Sequence, residues 1–356
     1  MKFYNFPYLV QKEILEQMAF PALIISGHIS KKHKCYIQTL LKNRFKKIDT
    51  ICYYSIDPDT CNISTTNCYE RVEFLVMKPS LEEGNRESVV KMNMFGMELE
   101  CSTTNPLTIY CAPGDGPAVL QKIHDYIYDF LGDTVAYEVR TTEGEYIPKL
   151  HHVTSSLLNP ASHENLEEYF GNLSNHSFLY IWSVKFLDMP IRHFPNTEML
   201  YLFGVYKCEE TFRQFNGKQL ELVSTDVTVD NIIELFKRWM SGDGYQNLEY
   251  LKVCVCDDLH RIFEEIEVKQ FEEGFEPPVH PYWIKSTSPA VDEKMYFEPI
   301  NFTSRHYLVR ESDGHVAYLD VSENDRKMNF VVWNLTLEQL REYQPQQSRN
   351  VAYKHL

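Results

Sequence analysis

The chain has 356 residues, 44% of them hydrophobic and 24% charged, with a formal net charge of −15. This is the composition of a folded protein of about two domains, and the acidic balance argues against a broad nucleic-acid surface, because phosphate binding needs a basic field. The sequence has no run of about 18 apolar residues and no signal-peptide core near its start. We therefore expect no membrane partner, a cytoplasmic or nuclear location, and cysteines kept as free thiols.

Residues 5–45 are predicted to form a small helical unit. Pro7 suits the first turn of a helix, where its missing N–H costs nothing, and Val10, Ile14 and Leu15 continue an apolar face at helical spacing. Pro21 suits the start of a second helix, and a third is expected over about 33–45. A unit of about 40 residues buries little core by itself, so its apolar faces favour a partner.

Basic residues are concentrated in the second half of this unit. A solvated helix face and a patch for an acidic partner both explain such a cluster, and the sequence leaves the two alternatives open. The residues are Lys31, Lys32, Lys34, Lys42, Arg44, Lys46 and Lys47.

From about residue 70 onward, short runs rich in Tyr, Val, Phe and Ile predict strands. The clearest helices are expected over 116–131 and 228–241, the second with an apolar stripe that contains Trp239 and with Thr228 and Gly242 as caps. Alternating strands and helices favour parallel pairing, and the irregular spacing of the strands, roughly 20 to 45 residues, predicts a leucine-rich-repeat-like curved sheet. The strand runs are RVEFLVM, LTIYC, TVAYEV, FLYIWSV, EMLYLFGV, LELVST and LEYLKVCV.

The last hundred residues have a different pattern. A helix is expected near 258–270, followed by FEPPVHPYW as a loop. RHYLVRESDGHVAYLDVS predicts a hairpin with a two-residue turn at Asp313-Gly314, and MNFVVWN is a candidate third antiparallel strand.

Patterns that indicate catalytic or metal chemistry are weak. Cys254 and Cys256 share one face of a strand but lack the second pair of a structural zinc site, so they are interpreted as buried thiols. His151 and His152 are expected in a loop or at a strand edge. APGDGPA, at 112–118, lacks the Gly-Lys-Ser/Thr of a P-loop and is interpreted as a turn before a proline-started helix. The sequence therefore predicts no catalytic residue, no metal, no cofactor and no enzyme activity.

The first 48 residues resemble the F-box, a three-helix motif that binds the Skp adaptor of cullin-RING ubiquitin ligases. The family pattern of an apolar residue and proline, two apolar pairs, and a final apolar-Ser-Lys step is matched by Phe6-Pro7, Ile14-Leu15, Leu23-Ile24 and Ile29-Ser30-Lys31. Leu9 and Ala22 stand where the family has acidic residues.

A second stretch, TVDNIIELFKRWMSGDGYQNLEYLKVCV, resembles the F-box-associated domain type 2, which accompanies the F-box in a large nematode family. The matching features are a helix with an apolar-Lys-x-Trp step, a glycine, and Asn247-Leu248-Glu249 before a strand. The late RESDGHVAYL resembles the closing hairpin of the same domain.

Together the two resemblances imply a mixed α+β and α/β fold. An F-box would occupy 3–48, and a leucine-rich-repeat-like α/β domain ending in antiparallel hairpins would occupy 70–335, with 170–260 matching best. They imply a substrate-recognition subunit that binds the Skp adaptor, and through it the cullin-RING ligase, and presents a target protein whose identity and binding residues the sequence does not give. The implied adaptor-binding residues are Phe6, Pro7, Leu9, Val10, Ile14, Leu15, Leu23 and Ile24.

Two other readings remain open at this point. A Skp-bound scaffold or binding module without a ligase role would carry the same N-terminal motif. An unrecognised enzyme is the third alternative.

Overall fold

The computed structural model describes residues 3–66, 71–80, 89–102, 106–142, 146–159, 162–171, 175–187, 196–205, 209–223, 225–254, 259–273, 280–286, 296–300, 304–322 and 326–342. The chain divides into two compact units, Met1–Trp182 and Ser183–Leu356. The helices of 3–48 lie in the first unit and residues 70–335 are divided between the two units, and the predicted domain bounds stay a prediction.

The first unit combines a helical N-terminus with a sheet. Its helices are a 3-10 turn at Phe3–Asn5, α1 Tyr8–Gln17, α2 Phe20–Gly27, α3 Lys31–Leu40, α4 Lys42–Phe45, α5 Gly116–Leu131 and α6 His163–Phe170. Its strands are β1 Thr50–Asp57, β2 Thr60–Thr66, β3 Arg71–Pro79, β4 Val89–Met94, β5 Met97–Ser102, β6 Leu107–Cys111, β7 Ala136–Thr141, β8 Ser155–Leu158 and β9 Asn175–Leu187, the last of which contains the division between the units.

The strand order in the first unit is β9-β8-β7-β1-β2-β3-β6-β5-β4. The pairs β1–β7, β7–β8 and β8–β9 are parallel, whereas β1–β2, β2–β3, β4–β5 and β5–β6 are antiparallel. Helix α5 lies against the face that carries Tyr53, because its His124 is hydrogen-bonded to the Tyr53 hydroxyl. The helices α2 and α3 in turn contact α5, so part of the N-terminal apolar surface is buried within the chain.

The second unit holds α7 Glu209–Gln214, α8 Val229–Ser241, α9 Arg261–Glu265 and α10 Leu337–Glu342. Its strands are β10 Asn196–Val205, β11 Gln219–Val223, β12 Tyr250–Cys254, β13 Lys269–Gln270, β14 His280–Ser286, β15 Tyr296–Ile300, β16 His306–Val309, β17 His315–Ser322 and β18 Lys327–Thr336. The order is β10-β11-β12-β18-β17-β16-β13, with β14 and β15 forming a separate antiparallel pair.

Helix α8 is capped at both ends as its sequence predicts. The Thr228 side chain and Asn231 form a reciprocal capping box, and Gly242 ends the helix in the left-handed conformation with φ 82°. Trp239 and Phe236 pack against Phe330 of β18, with ring centroids 5.1 and 5.0 Å away. The prediction that Trp239 belongs to the core is confirmed.

The coarse fold prediction is confirmed: the molecule is mixed α/β, with N-terminal helices, parallel β10–β11–β12 and an antiparallel end formed by β16, β17 and β18. The seven predicted strand runs and the helices at 116–131 and 228–241 are all present.

Four details differ from the sequence-based predictions. The sheet begins at residue 50 rather than 70, because β1 and β2 precede the first predicted strand. The helix expected near 258–270 covers only Arg261–Glu265, since Ile266 is extended and β13 follows. The strand β14 occupies the second half of the predicted loop FEPPVHPYW. The late hairpin has a four-residue turn, 311–314, closed by a hydrogen bond from the Arg310 amide to the His315 carbonyl.

Among the described residues, no helix is both long and apolar enough to cross a membrane.

Candidate partner-binding surface

Helix α1 is anchored to the chain along one side only. Its inward residues are Gln11 and Leu15, both buried. The Gln11 amide donates to the Phe6 carbonyl at 2.5 Å, and the Tyr36 hydroxyl of α3 donates to the Gln11 side-chain oxygen. These contacts fix the rotation of the helix, and with it the side chains that point outward.

Apart from these inward residues, α1 exposes apolar side chains to solvent. Leu9 is 75% exposed, Tyr8 59%, Val10 41% and Ile14 38%. Large side chains that stay exposed in a well-anchored helix are typical of surfaces that bind another protein. The exposed side of α1, defined by Tyr8, Leu9, Val10 and Ile14, is the candidate surface.

The structure brings together only part of the predicted set. Phe6 is half-buried and Pro7 is exposed, next to the surface. Leu15, Leu23 and Ile24 are buried in this chain instead. They do not reach the surface because α1 and α2 turn these side chains toward the interior of the first unit.

The segment before α1 extends the candidate surface. The Tyr4 hydroxyl is hydrogen-bonded to His33 Nδ1 of α3 at 2.7 Å, and the rings of Phe3, Tyr4 and Tyr36 meet edge to face. Half of Tyr4 nevertheless remains exposed. Sequence reasoning missed Tyr4 and Tyr8, since a tyrosine at a helix start has no periodic partner that would reveal its outward direction.

Arg44 fixes the other end of α1. Its guanidinium donates to the carbonyl oxygens of Glu16 at 3.0 Å and Met18 at 2.8 Å, where the helix leaves its last carbonyls without intrahelical partners. This member of the basic cluster is therefore structural.

Lys34 also makes intramolecular contacts. It is buried, forms an ion pair with Asp129 of α5, and places its ammonium 4.2 Å from the centre of the Tyr126 ring. The exposed members of the cluster are Lys31, Lys32, Lys42, Lys46 and Lys47. Lys31 and Lys32 begin α3 directly after Ile29, which is 74% exposed.

The helices around α1 form a platform on α5. The Tyr126 hydroxyl donates to the Ile24 carbonyl at 3.3 Å, and the Gln38 amide donates to the carbonyls of Asp129 and Phe130. The end of α2 lies so close to α5 that a Cβ on Gly27 would stand 2.4 Å from the Tyr126 hydroxyl. The candidate surface therefore rests on a helical layer that is continuous with the first unit.

One buried polar cluster has the residue types of a nucleophile and base. Ser156 Oγ lies 2.7 Å from His176 Nε2 and 2.8 Å from the Tyr169 hydroxyl. All three side chains are buried, so a substrate does not reach them in this structure. Their hydrogen bonds satisfy polar groups inside the core.

The APGDGPA turn is filled by the chain itself. The Asp59 carboxylate accepts hydrogen bonds from the backbone amides of Gly114 and Gly116, each at 2.9 Å from its nearer oxygen, at the start of α5. A carboxylate is stabilised at that end of a helix. This confirms the interpretation as a turn before a proline-started helix.

The cysteine and histidine candidates are only partly described. Cys254 is half-buried on β12, and Cys208, Cys256, Asp257 and Asp258 lie outside the described residues. His151 and His152 lie in an exposed turn, where the His152 ring stacks on Tyr128 at 4.1 Å. In the described part of the chain, no group of three or more His, Cys, Asp or Glu side chains is placed to hold a metal ion.

No protein-family model, no curated protein and no solved structure matches the chain.

Proposed function

We propose that the chain is a substrate-recognition subunit of a Skp–cullin–F-box ubiquitin ligase. The exposed side of α1 would bind the Skp adaptor, and the part of the chain that resembles the F-box-associated domain would bind a target protein. In this arrangement the rest of the ligase catalyses ubiquitin transfer. This chain raises the effective concentration of the target near the ubiquitin donor.

The observation that carries the proposal is the apolar exposure of α1. The helix is held on its inner side by Gln11, Leu15 and Arg44, yet Leu9, Val10 and Ile14 remain at the surface. Burying such a face in a partner's groove is the usual mode by which an amphipathic helix binds. The resemblance of 3–48 to the F-box, in whose pattern Ile14 lies, supports the Skp adaptor as that partner.

The exposed lysines support an acidic partner. Lys31 and Lys32 are free of ion pairs in the described part of the chain and adjoin Ile29, although the chain as a whole carries a net charge of −15. Local charge complementarity of this kind raises the association rate constant more than it raises the affinity.

Co-purification from cells tests the proposal. The wild-type chain should retain both the Skp adaptor and a cullin, and Ile14→Asp should lose both because an unpaired carboxylate in an apolar groove costs several kcal/mol. Gln17→Glu is the matched control, since it adds the same carboxylate at an exposed polar position of the same helix. If the wild-type chain is purified from cells without bound adaptor, the proposal is overturned.

A Skp-bound scaffold is the second candidate, and it shares the same α1 surface. Affinity purification with and without proteasome inhibition separates the two. A ligase subunit should accumulate its target when the proteasome is inhibited, whereas a scaffold's partners should be equally abundant in both preparations.

A further inference from the structure

The hairpin formed by β4 and β5 is attached to its sheet only loosely. The two strands pair with each other over six residues, from Val89–Ser102 to Met94–Met97. Among the described residues, three pairs join β5 to β6, and β4 is the last strand in the order of the first unit. Its tip must therefore be held by contacts other than the ladder of the sheet.

The tip has an unusual residue for its backbone conformation. Phe95 and Gly96 form a two-residue turn, with φ values of 55° and 74°. Such turns favour Asn-Gly, because a bulky side chain at positive φ is strained. A phenylalanine is retained there although asparagine would relieve the strain, which indicates that the ring makes a compensating contact.

That contact is with the corner between α2 and α3. The Phe95 ring is buried and meets the His28 ring edge to face, with centroids 4.8 Å apart, and lies 5.4 Å from the Tyr126 ring. His28 is the C-cap of α2 and stacks on Tyr126 at 3.9 Å. The aromatic side chains of the hairpin, the corner and α5 thus form one cluster.

Hydrogen bonds contribute little to this contact. His28 Nε2 is buried and has no hydrogen-bond partner in the described part of the chain. The residues that follow His28 are the exposed Ile29 and Ser30, the N-cap of α3. Packing of Phe95 is therefore one contact that joins the sheet to this corner of the helical platform.

We propose that the β4–β5 hairpin is a strap that fixes the α2–α3 corner, with Phe95 as its positioning residue. The strap itself concerns this chain alone. We also infer that the strap keeps Ile29 and the start of α3 in the arrangement that the adaptor binds. This second step rests on the proposed function.

Hydrogen exchange of the Phe95→Asn variant tests the strap. This change creates an Asn-Gly turn, so the hairpin stays favourable while the ring contact is removed. Amides of residues 26–34 should exchange roughly tenfold faster, a factor that corresponds to the loss of one aromatic contact. The exchange rates of the β4 and β5 amides should stay unchanged. Val90→Ala, at an exposed position of β4, is the control and should change neither.

Unchanged exchange at residues 26–34 would overturn the strap. Loss of protection throughout the first unit would also overturn it, because a strap holds one corner only.

Titration with purified Skp adaptor separates this inference from the proposed function. If Phe95→Asn lowers adaptor affinity by about the factor seen in exchange, the coupling of strap and docking is supported. Faster exchange with unchanged affinity would contradict that coupling. Wild-type chain that fails to bind the adaptor would remove the proposed function, and the exchange result alone would still decide the strap.

Discussion

Trp239 shows how a single residue reports on the core of the second unit. It is fully buried, packs edge to face on Phe330, and lies 5.2 Å under the Arg310 guanidinium. Its indole nitrogen has no hydrogen-bond partner in the described part of the chain. The ring therefore contributes through packing rather than through its N–H.

We predict that Trp239→Ala lowers the free energy of unfolding by about 3–5 kcal/mol, the cost of a large cavity. Trp239→Phe should cost clearly less, because it keeps most of the ring and breaks no hydrogen bond. Urea titrations of the two variants measure the difference. Equal losses for Ala and Phe would show that the N–H is important, and an unchanged Trp239→Ala would place this residue at the surface.

His124 makes the first unit sensitive to acid. Burial lowers its pKa to about 4, although the hydrogen bond between its Nε2 and the His151 carbonyl acts in the opposite direction. Burial likewise lowers the pKa of His28 to about 4, with Lys34 adding to the effect. Between about pH 4 and pH 6.5, both histidines are therefore neutral in the folded chain. In the unfolded chain their pKa is near 6.5, so they are protonated in the same range.

We predict that the contribution of these two histidines to stability is present above pH 6.5 and is lost as the pH is lowered from 6.5 toward 4, since their unfolded state binds more protons in that window. The measurement is the urea midpoint at several pH values. His124→Gln should be less stable at pH 7.5 but lose less on acidification than the wild type. A His124→Gln slope as steep as that of the wild type would contradict the assignment to His124.

At the scale of elements, the helices that the sequence predicted best are those with complete end signals. Helix α8 has Thr228 and Asn231 at one end and Gly242 at the other, and α5 begins at Gly116-Pro117. The caps of α8 satisfy backbone groups locally, so the sequence alone suffices to find them, whereas the start of α5 also uses the distant Asp59 carboxylate.

Elements that depend on tertiary pairing were harder to predict. Thr, Ser and Asn interrupt the apolar pattern of β1 and β2, which form because they pair with each other and because β1 also pairs with β7. The predicted helix near 258–270 has apolar residues at helical spacing, but it stops at Ile266 because the following residues pair with β16. Pairing across the chain overrides local pattern in both cases.

The cap of α8 can be tested as an element. Thr228→Ala removes the side-chain acceptor for the Asn231 amide and should cost about 1 kcal/mol, whereas Thr228→Ser keeps it and should cost much less. Chemical denaturation of the full chain compares the two. If serine and alanine are equally destabilising, the hydroxyl does not cap this helix.

The candidate surface could be predicted only in part for a similar reason. Helical spacing groups Val10, Ile14 and Leu15 on neighbouring positions, but which of them faces inward depends on the contacts of Gln11 with Phe6 and Tyr36. Because Leu15 is buried in this chain, the substitutions that test the candidate surface are at the exposed Val10 and Ile14.

At the scale of the whole molecule, the N-terminal helices belong to the first unit rather than standing apart. Phe45 packs on Phe130 with centroids 5.3 Å apart, Phe20 packs on Phe74 at 4.8 Å, and Lys34 pairs with Asp129. An F-box that binds its adaptor as an isolated 3–48 segment would have to keep its fold without these partners.

We predict that a fragment of residues 1–48 has much less helix than the same residues in the full chain, because it would expose Leu23, Ile24 and Ile37 and isolated helices of about ten residues are marginal in water. Far-UV circular dichroism of the fragment measures its helix content. Helicity equal to that in the full chain, with cooperative melting, would show that these residues form an independent domain.

The central claim is that the exposed side of α1 binds the Skp adaptor, and calorimetric titration of purified adaptor into the full chain tests it most directly. We expect measurable binding by the wild type, a loss of about tenfold or more for Val10→Asp and for Ile14→Asp, and wild-type affinity for Gln17→Glu. Circular dichroism should show all three variants folded. Wild-type affinity in both Val10→Asp and Ile14→Asp, or no heat of binding in the wild type, would contradict it.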